Sequence, residues 1–156
     1  MMFTRGVKTS RVLGRFKGKE AVDNIFSYLE PIYAKKPKKL REEEIVLVEL
    51  VYFMNAMNQG GFETYYRSDK GDFSSSICNH FSRIDLEDGY QLMYESMQVF
   101  SGMISKEAMI RNMYIDEHKD VCLDKWQSLN QAYKTLESRI YGQIIEYVRD
   151  NILDFR

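Results

Sequence analysis

The chain holds two cysteines and two histidines, and they fall in two pairs. Cys78 and His80 stand two apart; His118 and Cys122 stand four apart. A Cys2His2 set would suit zinc, which takes thiolate sulfur and imidazole nitrogen in a tetrahedron. The His118–Cys122 spacing puts both on one helix face, but residues two apart on a helix point in different directions. Cys78 therefore reads as a small buried apolar residue and the histidines as partly exposed, and no metal is expected. Two cysteines cannot build a disulfide scaffold, so a reducing compartment is the default.

Glu49 is the next candidate, because it stands alone in an apolar block. A buried carboxylate has a raised pKa and can act as a general base. Glu42 lies seven residues earlier on nearly the same helix face, which favours a narrow exposed stripe instead. Gly60-Gly61 resembles a phosphate-binding turn only superficially, since no strand precedes it and no Lys-Ser/Thr follows. The helix restarting after it would present free amides to an anion, but a helix corner explains the same glycines. No Ser-His-Asp or Cys-His arrangement is nominated by spacing. No catalytic residue and no cofactor is assigned.

The elements that would position these residues are helical. Length (156 residues), a 44% apolar fraction and 21 aromatics favour one domain with a real core. Gly6, Gly14 and Gly18 argue against a regular helix in the basic arm, residues 1–19, where Phe3, Val7, Val12, Leu13 and Phe16 would pin it to the body. A first helix is expected over about Glu20–Tyr33, with Val22, Ile25, Phe26, Leu29, Ile32 and Tyr33 inward and Pro31 ending or kinking it near Glu30. Lys35, Lys36, Lys38 and Lys39 surround Pro37 in a connecting loop. The second helix opens with Glu42, Glu43 and Glu44, which suit the positive end of its dipole. It is then apolar nearly all round to Met57, as a central buried helix is.

Gly60 and Gly61 end that helix by supplying a left-handed residue, and Phe62, Tyr65 and Tyr66 restart it at helical spacing. Ser68–Asp72 reads as a turn. Helices follow with Ile77, Phe81 and Ile84; over about Leu86–Phe100; from Ser105-Lys106-Glu107 through Met109, Ile110, Met113 and Tyr114; from Asp120 through Trp126, Ala132, Tyr133 and Leu136; and from Ser138 to Ile152. Met54/Met57, Met93/Met97 and Met109/Met113 sit three or four apart, as core residues do, although a methionine-rich partner groove has the same spacing. The expected fold is all-α: a helical bundle, one domain over 20–156, with seven or eight helices around a central apolar helix at about 42–58.

The charge is unevenly placed. Residues 1–41 hold 11 Lys+Arg against 3 Asp+Glu, a balance of +8, and the remainder holds 11 against 20, a balance of −9. A basic arm on an acidic body reads most simply as a solvated tail, with intramolecular docking, self-association as a homodimer, or a charged partner as the alternatives. Direct nucleic-acid contact through Arg5, Lys8, Arg11, Arg15, Lys17 and Lys19 is a further possibility, which the acidic body argues against. No segment reaches the roughly 18 uninterrupted apolar residues of a membrane span. The absence of a signal-like apolar run near the N-terminus makes the expected location cytoplasmic.

Asn58-Gln59-Gly60-Gly61-Phe62, then Tyr65-Tyr66, then Gly71, resemble the signature of a bacterial all-helical family named for a DNA-mimic protein. The family pattern runs roughly Asn-Asn-Gly-Gly-Phe-x-Gln-Tyr-Phe-x-Asn with a Gly nearby. This chain departs from it at Gln59, Thr64 and Ser68. The resemblance covers about residues 38–156. Side-chain amides at such a corner suit helix capping, a structural role. The resemblance implies a non-catalytic protein-binding role with a basic protein partner, such as a DNA-binding protein or a toxin domain. Glu42, Glu43, Glu44, Asp116, Glu117, Asp120 and Asp124 are the surface candidates. The alternative is a small enzyme or ligand binder with a pocket beside Gly60-Gly61, using Glu49, Tyr65 or Tyr66.

Overall fold

The computed structural model describes residues 5–156, so Phe3 lies outside the described residues. Those residues form seven α-helices and no strand: α1 Val7–Arg15, α2 Gly18–Lys35, α3 Glu42–Arg67, α4 Ser74–Arg83, α5 Glu87–Met97, α6 Ala108–Glu117 and α7 Lys119–Asp150. Short 3-10 turns occupy Pro37–Lys39, Asp69–Phe73 and Ile152–Asp154. No helix among the described residues is long and apolar enough to cross a membrane. The helices group into two compact units whose boundaries fall within α3, after Val51, and within α7, before Ser138.

The first unit joins the N-terminal helices, the start of α3 and the end of α7 with the C-terminal residues. Its core holds Ala21, Val22, Ile25 and Leu29 of α2, Val46, Leu47, Val48, Leu50 and Val51 of α3, and Ile144 and Val148 of α7. Within the arm Val7–Arg15 is helical, and of the arm's three glycines only Gly14 lies inside that helix. Gly14 faces open space, so it costs about 1 kcal/mol of propensity, which packing against α2 offsets. Polar contacts do the pinning: the Gly6 and Thr9 amides donate to the carbonyls of Phe155 (2.7 Å) and Arg156 (2.8 Å), and the buried Thr9 hydroxyl meets that of Tyr28. Val7 is exposed and Val12, Leu13 and Phe16 only half-buried, so the expected apolar anchor is weak. Pro31 neither ends nor breaks α2, which runs on to Lys35. The proline lies on the exposed side of a helix held by its buried stripe.

The second unit, Tyr52–Glu137, is built on an aromatic core. Phe53 meets Tyr65 edge-on at 5.1 Å, Phe81 at 5.8 Å and Tyr133 at 6.0 Å. Tyr66 stacks on Trp126 at 5.2 Å and meets Phe100 at 5.1 Å. The indole of Trp126 donates to the Ser96 carbonyl at 3.0 Å, so a large apolar body is buried with its polar end satisfied.

The two helices expected from Asp120 and Ser138 are one helix of 32 residues. Buried Cys122, Trp126, Leu129, Tyr133, Leu136, Ile140 and Ile144 keep an unbroken 3–4 spacing. Ser138 is exposed and, without a competing partner, serine weakens a helix interior only slightly. Ala132 on the same helix faces solvent, not the core. So do Met109, Ile110 and Met113 of α6, whose buried residues are Arg111 and Ile115.

Candidate functional site

The glycine corner interrupts α3. Gly61 takes φ +74°, which L side chains rarely adopt. A Cβ there would also lie 2.5–2.6 Å from the Asn130 amide. That closeness has a purpose. Asn130 Oδ1 accepts the Phe62 backbone N–H at 3.0 Å and so caps the restarting helix turn from α7. Phe62, Tyr65 and Tyr66 are fully buried. The Tyr66 hydroxyl pairs with Ser96 Oγ at 2.7 Å, and burial holds its pKa well above the ordinary tyrosine value.

Gly71 has a matching role. A Cβ on it would sit 2.9–3.0 Å from the Arg111 guanidinium and the Tyr65 carbonyl. Arg111 is 1% exposed. It donates to the carbonyls of Tyr66 (2.8 Å), Ser68 (2.7 Å) and Ser105 (2.8 Å) and pairs with Asp72 at 2.8 Å. A planar fork of donors is what such a set of carbonyls needs. Sequence reasoning missed this residue: one arginine in a methionine-rich stretch carries no sign of burial.

Outside the corner, Asn58, Gln59, Gly60 and Gly61 line a cleft of about 330 Å³ with Gln127, Asn130, Gln131 and Lys134. Tyr65 and Tyr66 do not line it. Glu49 is buried, not on an exposed stripe, and accepts a hydrogen bond from the Tyr33 hydroxyl.

The acidic candidates separate. Glu42 is exposed and Glu43 half-buried. Glu44 is 0% exposed, which corrects its assignment to a binding surface. Its Oε1 accepts from Arg5 Nη2 at 3.0 Å and from the Arg41 backbone N–H at 2.9 Å, and its Oε2 lies 3.7 Å from Arg156 Nε. Arg5 also bonds the Leu153 and Asp154 carbonyls. Glu44 thus caps α3 and ties the arm down, which is intramolecular docking rather than the solvated tail that the charge imbalance most simply suggests. Elsewhere in the arm, Lys8 lies over the Tyr28 ring at 4.2 Å, while Arg11, Arg15 and Lys17 are exposed. In the second unit Asp116, Glu117, Asp120 and Asp124 are all exposed. Asp116 pairs with Arg67 at 2.7 Å, and this bond with that of Glu63 raises the arginine's pKa against the opposing effect of burial.

Cys78 and Cys122 are buried. Desolvation pushes the Cys78 thiol up to about 11, and burial raises Cys122. A thiol held protonated is a poor nucleophile and metal ligand. His80 is buried; His118 is exposed, with its ring 4.3 Å from that of Tyr114. Among the described residues no three His, Cys, Asp or Glu gather as a metal site would require.

The geometry therefore defines an all-helical protein whose signature residues build a helix corner. The chain belongs to the DMP19-like protein family, whose model matches residues 38–151. This is the DNA-mimic-like family that the Asn58–Gly71 pattern resembles. α1 and α2 precede the matched span. Neither curated proteins nor solved structures yield a match.

Proposed function

We propose that this protein is a non-catalytic binding module whose exposed carboxylates engage a basic protein, such as a DNA-binding protein or a toxin domain. The observation that carries this reading is the stretch from residue 116 to 124. It holds Asp116, Glu117, Asp120 and Asp124, all exposed, against one cation, Lys119. Asp116 and Glu117 stand at the C-terminus of α6, where the helix dipole already disfavours negative charge. Asp116 offsets that field by pairing with Arg67, whereas Glu117 lies exposed against it and suits a cationic partner better. Membership of a DNA-mimic-like family points the same way. A duplex carries about one negative charge per 1.7 Å of axis, denser than this mixed surface with its net charge of −1. The partner is therefore recognised by local charge and shape, not by imitation of a whole duplex.

The test is capture of partners from lysate of the native host after nuclease treatment, with wild type beside Asp120→Lys/Asp124→Lys. One stoichiometric basic protein, lost as salt rises and lost with the variant, supports the reading. Equal capture by the variant overturns its electrostatic part.

A second reading takes the cleft beside Gly60-Gly61 as a ligand site. It is favoured by the amides of Asn58, Gln59, Gln127, Asn130 and Gln131 around one opening. A ligand there would be uncharged or anionic, held by amide donors and Lys134.

A further inference from the structure

The exposed methionines of α6 have no structural explanation in the core. Met109 is 73% exposed, Ile110 48% and Met113 65%. The helix is nevertheless held firmly, because Arg111 on its inner face is latched to three backbone carbonyls. Helical spacing places Met109, Met113 and Asp116 in one row and Ile110, Met113 and Glu117 in the next. The outward face of α6 is thus apolar at its N-terminal end and acidic at its C-terminal end.

We infer that this face docks an amphipathic cationic helix of a protein partner. Met109, Ile110 and Met113 would receive its apolar side, and Glu117 its Lys or Arg side chains, beside an Asp116 already shared with Arg67. Unbranched methionines adapt to an incoming apolar ridge, and an amphipathic helix is read through anchors at i, i+3, i+4 and i+7. Charge complementarity selects the occupant. A second copy of α6 brings no exposed cation, since its one arginine is Arg111, which is buried. An anionic lipid surface would be repelled by both carboxylates. The inference rests on the proposed binding of a basic protein and adds to it the surface and the apolar component.

The experiment measures fluorescence anisotropy of a labelled 18-residue Leu/Lys peptide with helical amphipathic spacing. A scrambled peptide of the same composition is the control. Wild type, Met109→Gln/Met113→Gln, Glu117→Lys and Asp120→Lys/Asp124→Lys are compared, with thermal melting as a fold check. The expected result is binding of the amphipathic peptide that weakens about tenfold in Met109→Gln/Met113→Gln, with melting unchanged because both side chains are exposed. Glu117→Lys should weaken it too, in a salt-dependent way. Equal binding of the scrambled peptide, or full binding by Met109→Gln/Met113→Gln alongside loss in Asp120→Lys/Asp124→Lys, overturns the inference while leaving charge-driven binding intact. No binding of either cationic peptide counts against both. A wild-type dimer that the methionine variant dissociates overturns it as well, because a second copy then covers the face.

Discussion

Glu44 offers the sharpest test, because it separates a structural carboxylate from two surface neighbours of the same type. Its side chain is fully buried, with Oε1 on Arg5 and the Arg41 N–H and Oε2 toward Arg156. Hydrogen bonds to charged groups contribute about 1.5–3 kcal/mol each, and breaking a wholly buried ion pair costs about 3–5 kcal/mol. Arg5 is 23% exposed and keeps its bonds to the Leu153 and Asp154 carbonyls. Its charge is not orphaned when the carboxylate goes, so the loss falls below the buried-pair range and close to that of a charged hydrogen bond. Glu44→Ala should cost about 2–3 kcal/mol. Glu44→Gln keeps one oxygen for the Arg41 N–H and should cost about 1–2 kcal/mol. For a chain of this length each kcal/mol moves Tm by roughly 2–4 °C, so Glu44→Ala should melt roughly 4–12 °C lower. Glu42→Ala should stay within about 0.5 kcal/mol, as surface changes do. Urea unfolding followed by far-UV circular dichroism reads all three. If Glu44→Ala unfolds at the wild-type urea concentration, the clasp between Glu44 and the arm does not exist as described.

Gly61→Ala forces alanine to φ +74°, ψ −157°, a region essentially reserved for glycine and worth about 1–3 kcal/mol, and adds the clash with Asn130. Because Asn130→Ala removes the clashing amide, the double variant should be more stable than the sum of the singles predicts. Strict additivity in urea unfolding would contradict the geometry. Arg111→Lys cannot satisfy three carbonyls and Asp72 at once and should lose about 3 kcal/mol; a loss under 1 kcal/mol would mean that the latch is not needed. The raised thiol of Cys78 sets a pH dependence. The folded state holds that proton more tightly than the unfolded state, so its stabilising effect is complete below the unfolded value near 9 and fades as pH rises towards about 11. At pH 8 alkylation in the native protein should be roughly a hundredfold slower than in urea, and comparable rates would show that the thiol is not desolvated.

Much of the helical content was legible in the residues themselves. The near-continuous apolar run from Ile45 to Met57 has β-branched residues that a strand over Ile45–Tyr52 would also suit, but its length and its three leading glutamates favour a buried helix. The glycine pair had to break that helix, because only glycine takes the φ of +74° found at Gly61 without strain. Phe62, Tyr65 and Tyr66 shared a face by spacing alone, and that face is buried. Periodicity says which residues lie on the same side, but it does not say which side is covered. Met109 and Met113 have the same spacing as Met93 and Met97, yet they face solvent, because Arg111 and Ile115 took the inward positions of α6. Three consecutive glutamates read alike in sequence. Only the arrival of Arg5 and Arg156, distant along the chain, made Glu44 a buried clasp and left Glu42 on the surface. Local spacing determined the helices and their stripes. Long-range contacts decided which stripe became core, which glutamate became structural, and which face stayed exposed, because burial energy depends on neighbours that spacing cannot name.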